Sequence, residues 1–255
     1  MSRVVAGGLS LEYREHPATR PERPALVLLH DGLGCAASWR DFPEKLAART
    51  GCRTLVYSRP GYGKSDAYST PRTRDYLQRE AREVLPRLLT ALAVERPVLV
   101  GHSDGGTIAL LFAAAFPAMP RGVVAMAPHE FVEEKTLAGI RETCRQWQTT
   151  DLREKLARYH PDPARVFADW SETWLSPGFR EWNIEQELSA IRCPVLAIQG
   201  ADDEYASLRQ IQVIAERVPG TELLELSECR HSPHRDQPEA VLSAIAAFVE
   251  GLDRT

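Results

Sequence analysis

Gly101-His102-Ser103-Asp104-Gly105 is a GxSxG pentapeptide, and the chemistry such a segment can do is nucleophilic attack by a hydroxyl. Chance alone gives the pattern in about one chain in ten of this length, so the setting matters more than the letters. An apolar run, Val98 to Val100, leads in, and a small-residue stretch from Gly105 to Phe116 leads out with helical character. A serine at such a corner holds its hydroxyl above the sheet. The next amide, on Asp104, lies at a helix N-terminus, where it can stabilise an oxyanion. An ordinary serine in a glycine turn is the plainer reading. It is the rest of the chain that tells against it.

A nucleophilic serine needs a base, and the base needs an orienting acid. In a strand–turn–helix setting the expected order is Ser, acid, His. Asp203 follows the run Pro194 to Gln199, and His231 follows the run Glu222 to Leu226. Both lie beyond C-terminal strand ends, at the sheet edge where Ser103 emerges and where open α/β sheets bind ligands. Asp202 and His234 are the nearest substitutes. A second oxyanion donor is sought in His30-Asp31-Gly32-Leu33-Gly34, with the Gly32 N–H first and that of Leu33 second. Read plainly, this segment is a tight turn.

The elements that must hold these residues recur along the chain. Strands are expected at Ala25–His30, Thr54–Tyr57, Pro97–Gly101, Gly122–Met126 and Pro194–Gln199, with a weaker one at Leu223–Leu226. Most are apolar on both faces, as in parallel strands covered by helices. Helical patterns fall between them, at Asp41–Arg49, Arg74–Leu92, Gly105–Phe116, Leu208–Arg217 and Pro238–Glu250. The alternation predicts an α/β fold with a mostly parallel sheet and helices on both faces. Residues 2–15 add two short antiparallel strands at one edge.

From 129 to 190 the rhythm breaks. The segment has no convincing strand and holds four of the five tryptophans (147, 170, 174, 182). Its 12 acidic and 8 basic residues give a net of -4, equal to that of the whole chain. It reads as a helical insertion, a cap, in a core formed by 1–128 and 191–255. Trp170 and Trp174, at i and i+4, pin the cap or line an apolar pocket over Ser103, with Asp31 as a further pocket candidate.

Composition narrows the classes. At 255 residues, 44% hydrophobic and 26% charged, the chain can bury a full core without disulfides or metal. A net charge of -4 argues against nucleic acid, which attracts basic patches. No apolar stretch reaches about 18 residues, so no membrane span is expected. Five scattered cysteines with no CxxC pair read as free thiols in a reducing compartment, and the chain reads as cytoplasmic, a monomer or homodimer.

HDGLG after one strand, SRPGYGKSD after the next, then GHSDGG, GADD and HSPHRDQPEAV resemble, in order and over nearly the whole chain, the α/β-hydrolase superfamily. The resemblance implies an eight-stranded sheet, a helical cap, a Ser103–His231–Asp203 triad, and oxyanion donors on Asp104 and near Gly32. It departs from the family pattern twice. Asp31 is added between His30 and Gly32, and Arg230 stands where a glycine precedes the histidine. GxSDGG further resembles the elbow of certain α-amino-acid ester hydrolases, in which the acid receives the substrate's ammonium group. Arginines or backbone amides near Asp104 would satisfy it equally well.

Three other patterns are declined. Gly32-x-Gly34-x-x-Ala37 with Arg59 mimics a dinucleotide fingerprint but leaves Asp203 and His231 without a role. Gly63-Lys64-Ser65 mimics a phosphate loop, but the required first glycine is Ser58. His231, His234 and Asp236 form a weak metal set, and His129-Glu130 lacks the HExxH continuation. The expectation is therefore a serine hydrolase of a small ester or thioester that needs no cofactor and no metal. Its rivals are carbon–carbon bond hydrolysis of a ring-cleavage diketone, acyl transfer to another acceptor, and a non-catalytic receptor on the same fold. The acidic cap weakly favours neutral or cationic substrates.

Overall fold

The computed structural model describes residues 1–68 and 72–253. Its sheet has eight strands: β1 (Ser2–Ala6), β2 (Leu9–His16), β3 (Leu26–Leu29), β4 (Thr54–Tyr57), β5 (Val98–His102), β6 (Gly122–Met126), β7 (Val195–Gly200) and β8 (Glu222–Leu226). The strand order is β1-β2-β4-β3-β5-β6-β7-β8. β1 pairs with β2 and β2 with β4 antiparallel, and every other pairing is parallel. The expected edge hairpin at residues 2–15 is present. β3 to β7 are buried at every position, whereas the edge strands β1 and β8 are largely exposed. That exposure explains the weaker apolar signal of β8.

Period-two alternation sorts the central strands onto two cores. Val27, Leu29, Leu55 and Leu99 face α3 (Leu85–Ala91) and α4 (Asp104–Ala115). Leu26, Leu28, Val56, Val98 and Val100 face the other layer, where Phe42 and Leu46 of the helix Phe42–Thr50 (α1) meet Val241, Ile245 and Phe248 of the C-terminal helix Pro238–Leu252. Each of these side chains, fully buried, contributes roughly 1.5–3 kcal/mol.

The helix expected over Arg74–Leu92 is interrupted. Tyr76–Arg79 (α2) passes through a five-residue π turn, Glu80–Val84, into α3. Pro86 lies just beyond the turn and has no N–H to continue the ladder, which accounts for a break at this point.

Between β6 and β7 come α5 (Glu134–Thr149), α6 (Leu152–Ala157), α7 (Pro163–Leu175) and α8 (Glu185–Leu188). The two ends of this insertion meet in a bridge between Phe131 and Asn183, and Ile184 N–H donates to the Glu130 carbonyl at 2.7 Å. Glu130 is fully buried, with no hydrogen bond to either carboxyl oxygen. Burial holds its pKa well above the usual range. α9 (Arg209–Arg217) follows β7, and α10 (Pro233–Asp236) and α11, the C-terminal helix, follow β8. Among the described residues no helix is long and apolar enough to cross a membrane. All five cysteines are free.

Candidate active site

Ser103 caps α4 with φ 52° and ψ -121°, a left-handed conformation that costs a non-glycine residue energy and projects its side chain out of the turn. The turn closes because its neighbours lack side chains. A Cβ at Gly105 would stand 2.0 Å from the Leu29 carbonyl oxygen, and one at Gly101 2.1 Å from that of Gly105. α4 therefore starts directly against β3 and β5, with Ser103 N–H donating to Met126 O at 2.9 Å.

His231 and Asp203 complete a chain of hydrogen bonds. His231 Nε2 lies 3.0 Å from Ser103 Oγ, and Nδ1 lies 2.8 Å from Asp203 Oδ2. Asp203 is fully buried and accepts from the N–H groups of Tyr205 and Ala206, at 2.8 and 3.2 Å, and from the Gln199 amide. Burial works against its charge, but the charge and hydrogen bond of His231 and the Tyr205 amide hold the carboxyl below its usual range. The same pairing acts on His231. Burial alone would lower its pKa, yet Asp203, with smaller help from Glu204 and Asp31, raises it.

The substitutes go elsewhere. Asp202 is exposed, and His234 is buried against Trp39, Phe42 and His102, with ring centroids 4.7, 5.5 and 4.7 Å away. Burial keeps His234 well below its usual pKa. His231 and His234 thus face different surroundings. Arg230 does not bear on the imidazole as its position beside His231 suggests. It reaches into solvent and pairs with Glu204 Oε1 at 2.9 Å, while Glu204 Oε2 accepts the His231 N–H at 3.1 Å.

The role of one further residue, His102, escaped the sequence reading. His102 Nε2 is 2.7 Å from the carbonyl oxygen of His231, and its Nδ1 is 3.4 Å from Asp31 Oδ2. Burial opposes the Asp31 charge, but His102 and Arg235 keep its carboxyl well below the usual range.

The serine opens into a cavity of about 240 Å³ lined by Asp31, Gly32, Leu33, Trp170 and Trp174 among others. All the pocket candidates named from sequence line it. Trp170 packs directly over Gly32, where a Cβ would come within 2.5 Å of the indole. Leu33 N–H is engaged by Asp31 Oδ1 at 2.9 Å, whereas Gly32 N–H has no hydrogen bond among the described residues. Leu33 is thereby less available as a donor than Gly32. The Asp104 N–H, at the first position of α4, has no intrahelical acceptor.

The Asp104 side chain is buried and divided in its contacts. Oδ2 accepts from Tyr76 Oη at 2.9 Å and pairs with the buried Arg59 guanidinium at 3.3 Å. Oδ1 has no hydrogen-bond partner and lies 3.5 Å from where a Gly32 Cβ would be. Arg59, weighed from sequence as a nucleotide-phosphate ligand, is thus spent on Asp104 and the Asp31 carbonyl. No group of three potential metal ligands occurs among the described residues.

Comparison with known proteins bears on the family and the fold. The chain is 28% identical over 241 residues to serine hydrolase BPHL of Mus musculus, covering 91% of this chain and 80% of that protein. It is 26% identical to the 2-hydroxy-6-oxononadienedioate/2-hydroxy-6-oxononatrienedioate hydrolase of Paraburkholderia phymatum, covering 96% and 93%. The crystal structure of the enol-lactonase from Burkholderia xenovorans LB400 superposes with a TM-score of 0.76 at 20% identity, covering 98% of this chain and all of that one. Residues 26–244 match the family described as the Alpha/beta hydrolase family, and the chain belongs to it.

Proposed function

We propose that the protein is a serine hydrolase that cleaves a small ester or thioester through an acyl-enzyme on Ser103. The observation that carries this reading is the unbroken Ser103–His231–Asp203 chain, whose Ser103 and His231 line the pocket. His231 Nε2 takes the Ser103 proton as Oγ attacks the carbonyl carbon. Asp203 holds Nδ1–H and stabilises the imidazolium. The N–H groups of Asp104 and Gly32 receive the oxyanion. As the tetrahedral adduct collapses, the carbon–oxygen or carbon–sulfur bond breaks, and the imidazolium protonates the leaving group. A water, activated by the same imidazole, then releases the acid. Residues 129–190 serve as the cap that excludes bulk solvent.

For the acyl arm, Asp104 is the acceptor best placed for an ammonium group, because the residue lines the pocket and its buried Oδ1 lacks any hydrogen-bond partner. An α-amino-acid ester would supply that cation. The Arg59 and Tyr76 contacts to Oδ2 hold the carboxylate in position and leave the hydrogen-bonding capacity of Oδ1 unused.

The similarity to the P. phymatum hydrolase favours carbon–carbon bond hydrolysis as a second reading. That protein's name denotes diacids, and a diacid needs cationic partners on both sides of the nucleophile. The pocket around Ser103 has Asp31, Asp104 and Glu204 against a single lining guanidinium, Arg235. Ester cleavage fits this charge balance better.

The deciding experiment is hydrolysis of p-nitrophenyl acetate by the purified protein and by Ser103→Ala. The variant should lose several orders of magnitude in kcat/KM while folding normally, since the three residues act as a unit. A fluorophosphonate probe should label Ser103. Labelling at another residue, or activity that survives the substitution, refutes the assignment.

A further inference from the structure

A second groove opens beside the catalytic pocket and shares Asp31, Leu33 and Arg235 with it. Its volume is about 340 Å³, and its rim carries Arg40, Lys155, Arg158 and Arg235 against one carboxylate, Asp31. The insertion as a whole is acidic, but the edge of α6 that borders this groove is basic. Arg40 and Arg158 enter no ion pair among the described residues, because the nearby acids Asp41 and Asp151 are paired to Lys45 and Lys155. Arg40 also holds φ 56° and ψ -121°, nearly the conformation of Ser103. A glycine would be relaxed there, yet the position carries a long cationic side chain aimed at the groove's rim.

The groove meets the pocket along Arg235, in the same short segment as His231, and along the turn at Asp31 and Leu33. The leaving group departs past the imidazole that protonates it. Arg235 stands four residues beyond His231 at the junction of pocket and groove, with one guanidinium nitrogen 3.2 Å from the Ser38 carbonyl oxygen. An alcohol or thiol leaving Ser103 on the His231 side therefore passes into the basic groove.

We propose that this groove is a leaving-group subsite for an alcohol or thiol bearing a carboxylate or phosphate. The substrate is then an ester or thioester with an anionic leaving arm and a neutral or cationic acyl arm. The inference rests on the serine hydrolase reading and assigns its substrate class.

The test compares 4-acetoxybenzoate with 4-acetoxybenzamide at low ionic strength, with rates referred to alkaline hydrolysis so that leaving-group basicity cancels. The benzoate should show a KM about fivefold lower, as expected for several exposed charge contacts acting together. That preference should shrink toward unity in high salt, in Arg158→Glu and in Arg40→Gly. The exposed Arg158 keeps the comparison readable should Arg40→Gly fold poorly. Equal KM values in the parent chain overturn the subsite. Calorimetric titration with the phenol products, 4-hydroxybenzoate and 4-hydroxybenzamide, reads the groove without turnover. If neither ester is cleaved, the serine hydrolase reading fails. Tighter binding of hydroxybenzoate that Arg158→Glu abolishes would still uphold the anion subsite, and equal binding of the two phenols would end it.

Discussion

The imidazole of His102 donates through Nε2 to the backbone carbonyl of His231, 2.7 Å away. The residue before Ser103, at the end of β5, thus ties down the loop that carries His231. His102→Leu removes the donor and should cost about 1 kcal/mol in transition-state stabilisation, roughly fivefold in kcat/KM. The loss should fall mainly on kcat, and His102→Gln should restore part of it. An unchanged kcat in His102→Leu would show that the bond does not position His231.

The pH dependence follows from the raised His231 pKa. Only the neutral imidazole can accept the Ser103 proton, so kcat/KM should rise with pH through an inflection above the ordinary histidine value of about 6.5. Glu204 helps raise that pKa by its charge, so Glu204→Gln should move the inflection down. The relevant measurement is the pH profile of both proteins on one ester. An inflection below 6.5 in the parent chain would contradict the Asp203 pairing as the controlling interaction. His231→Ala should abolish activity, whereas His234→Ala should mainly reduce stability, since His234 packs against Trp39 and Phe42.

Recognition of the acyl arm can be isolated with an alanine ester and the corresponding propionate ester. If Asp104 Oδ1 receives the ammonium, the alanine ester should be favoured by about tenfold in kcat/KM, in line with a charge-assisted hydrogen bond. Asp104→Asn should erase the preference. Equal rates on both esters in the parent chain would leave Asp104 as a scaffold for Arg59 and Tyr76.

Glu130 supplies a stability test outside the triad. Its folded-state pKa is raised above that of the unfolded chain, so the folded state binds more protons above about pH 4.5 and stability drains away as pH rises. Glu130→Gln removes this linkage. Thermal melts should show the variant gaining on the parent from pH 5 to pH 8. A constant difference across that range would mean that Glu130 is ionised in the folded protein.

Much of this architecture is written locally. Central strands such as Thr54–Tyr57 and Gly122–Met126 are apolar on both faces, and the structure places them at those bounds. Ser103, Asp203 and His231 could be named together because each follows a strand's C-terminal end, and the sheet brings those ends to one edge. The supporting contacts left no such trace. His102 and His231 are 129 residues apart, and Arg59 and Asp104 are 45 apart. Their pairing depends on side-chain directions that a one-dimensional pattern does not carry. Arg230 shows the same limit, since adjacency in sequence to His231 says nothing of the Glu204 that it pairs with. The π turn at Glu80–Val84 did have a signal, Pro86, inside an otherwise regular helical pattern.

The packing of Trp170 on Gly32 binds the fates of two distant segments. With no space for even a methyl group at 32, any larger residue must displace the Trp170 indole of α7 from the turn. If Ser103 carries an acyl group as proposed, that displacement would open the pocket wall beside it and so change the partition of the acyl group between water and competing nucleophiles. Drift in the inserted helices is therefore constrained at Trp170, because the residue that walls the pocket beside Ser103 is also the one that rests on the glycine turn.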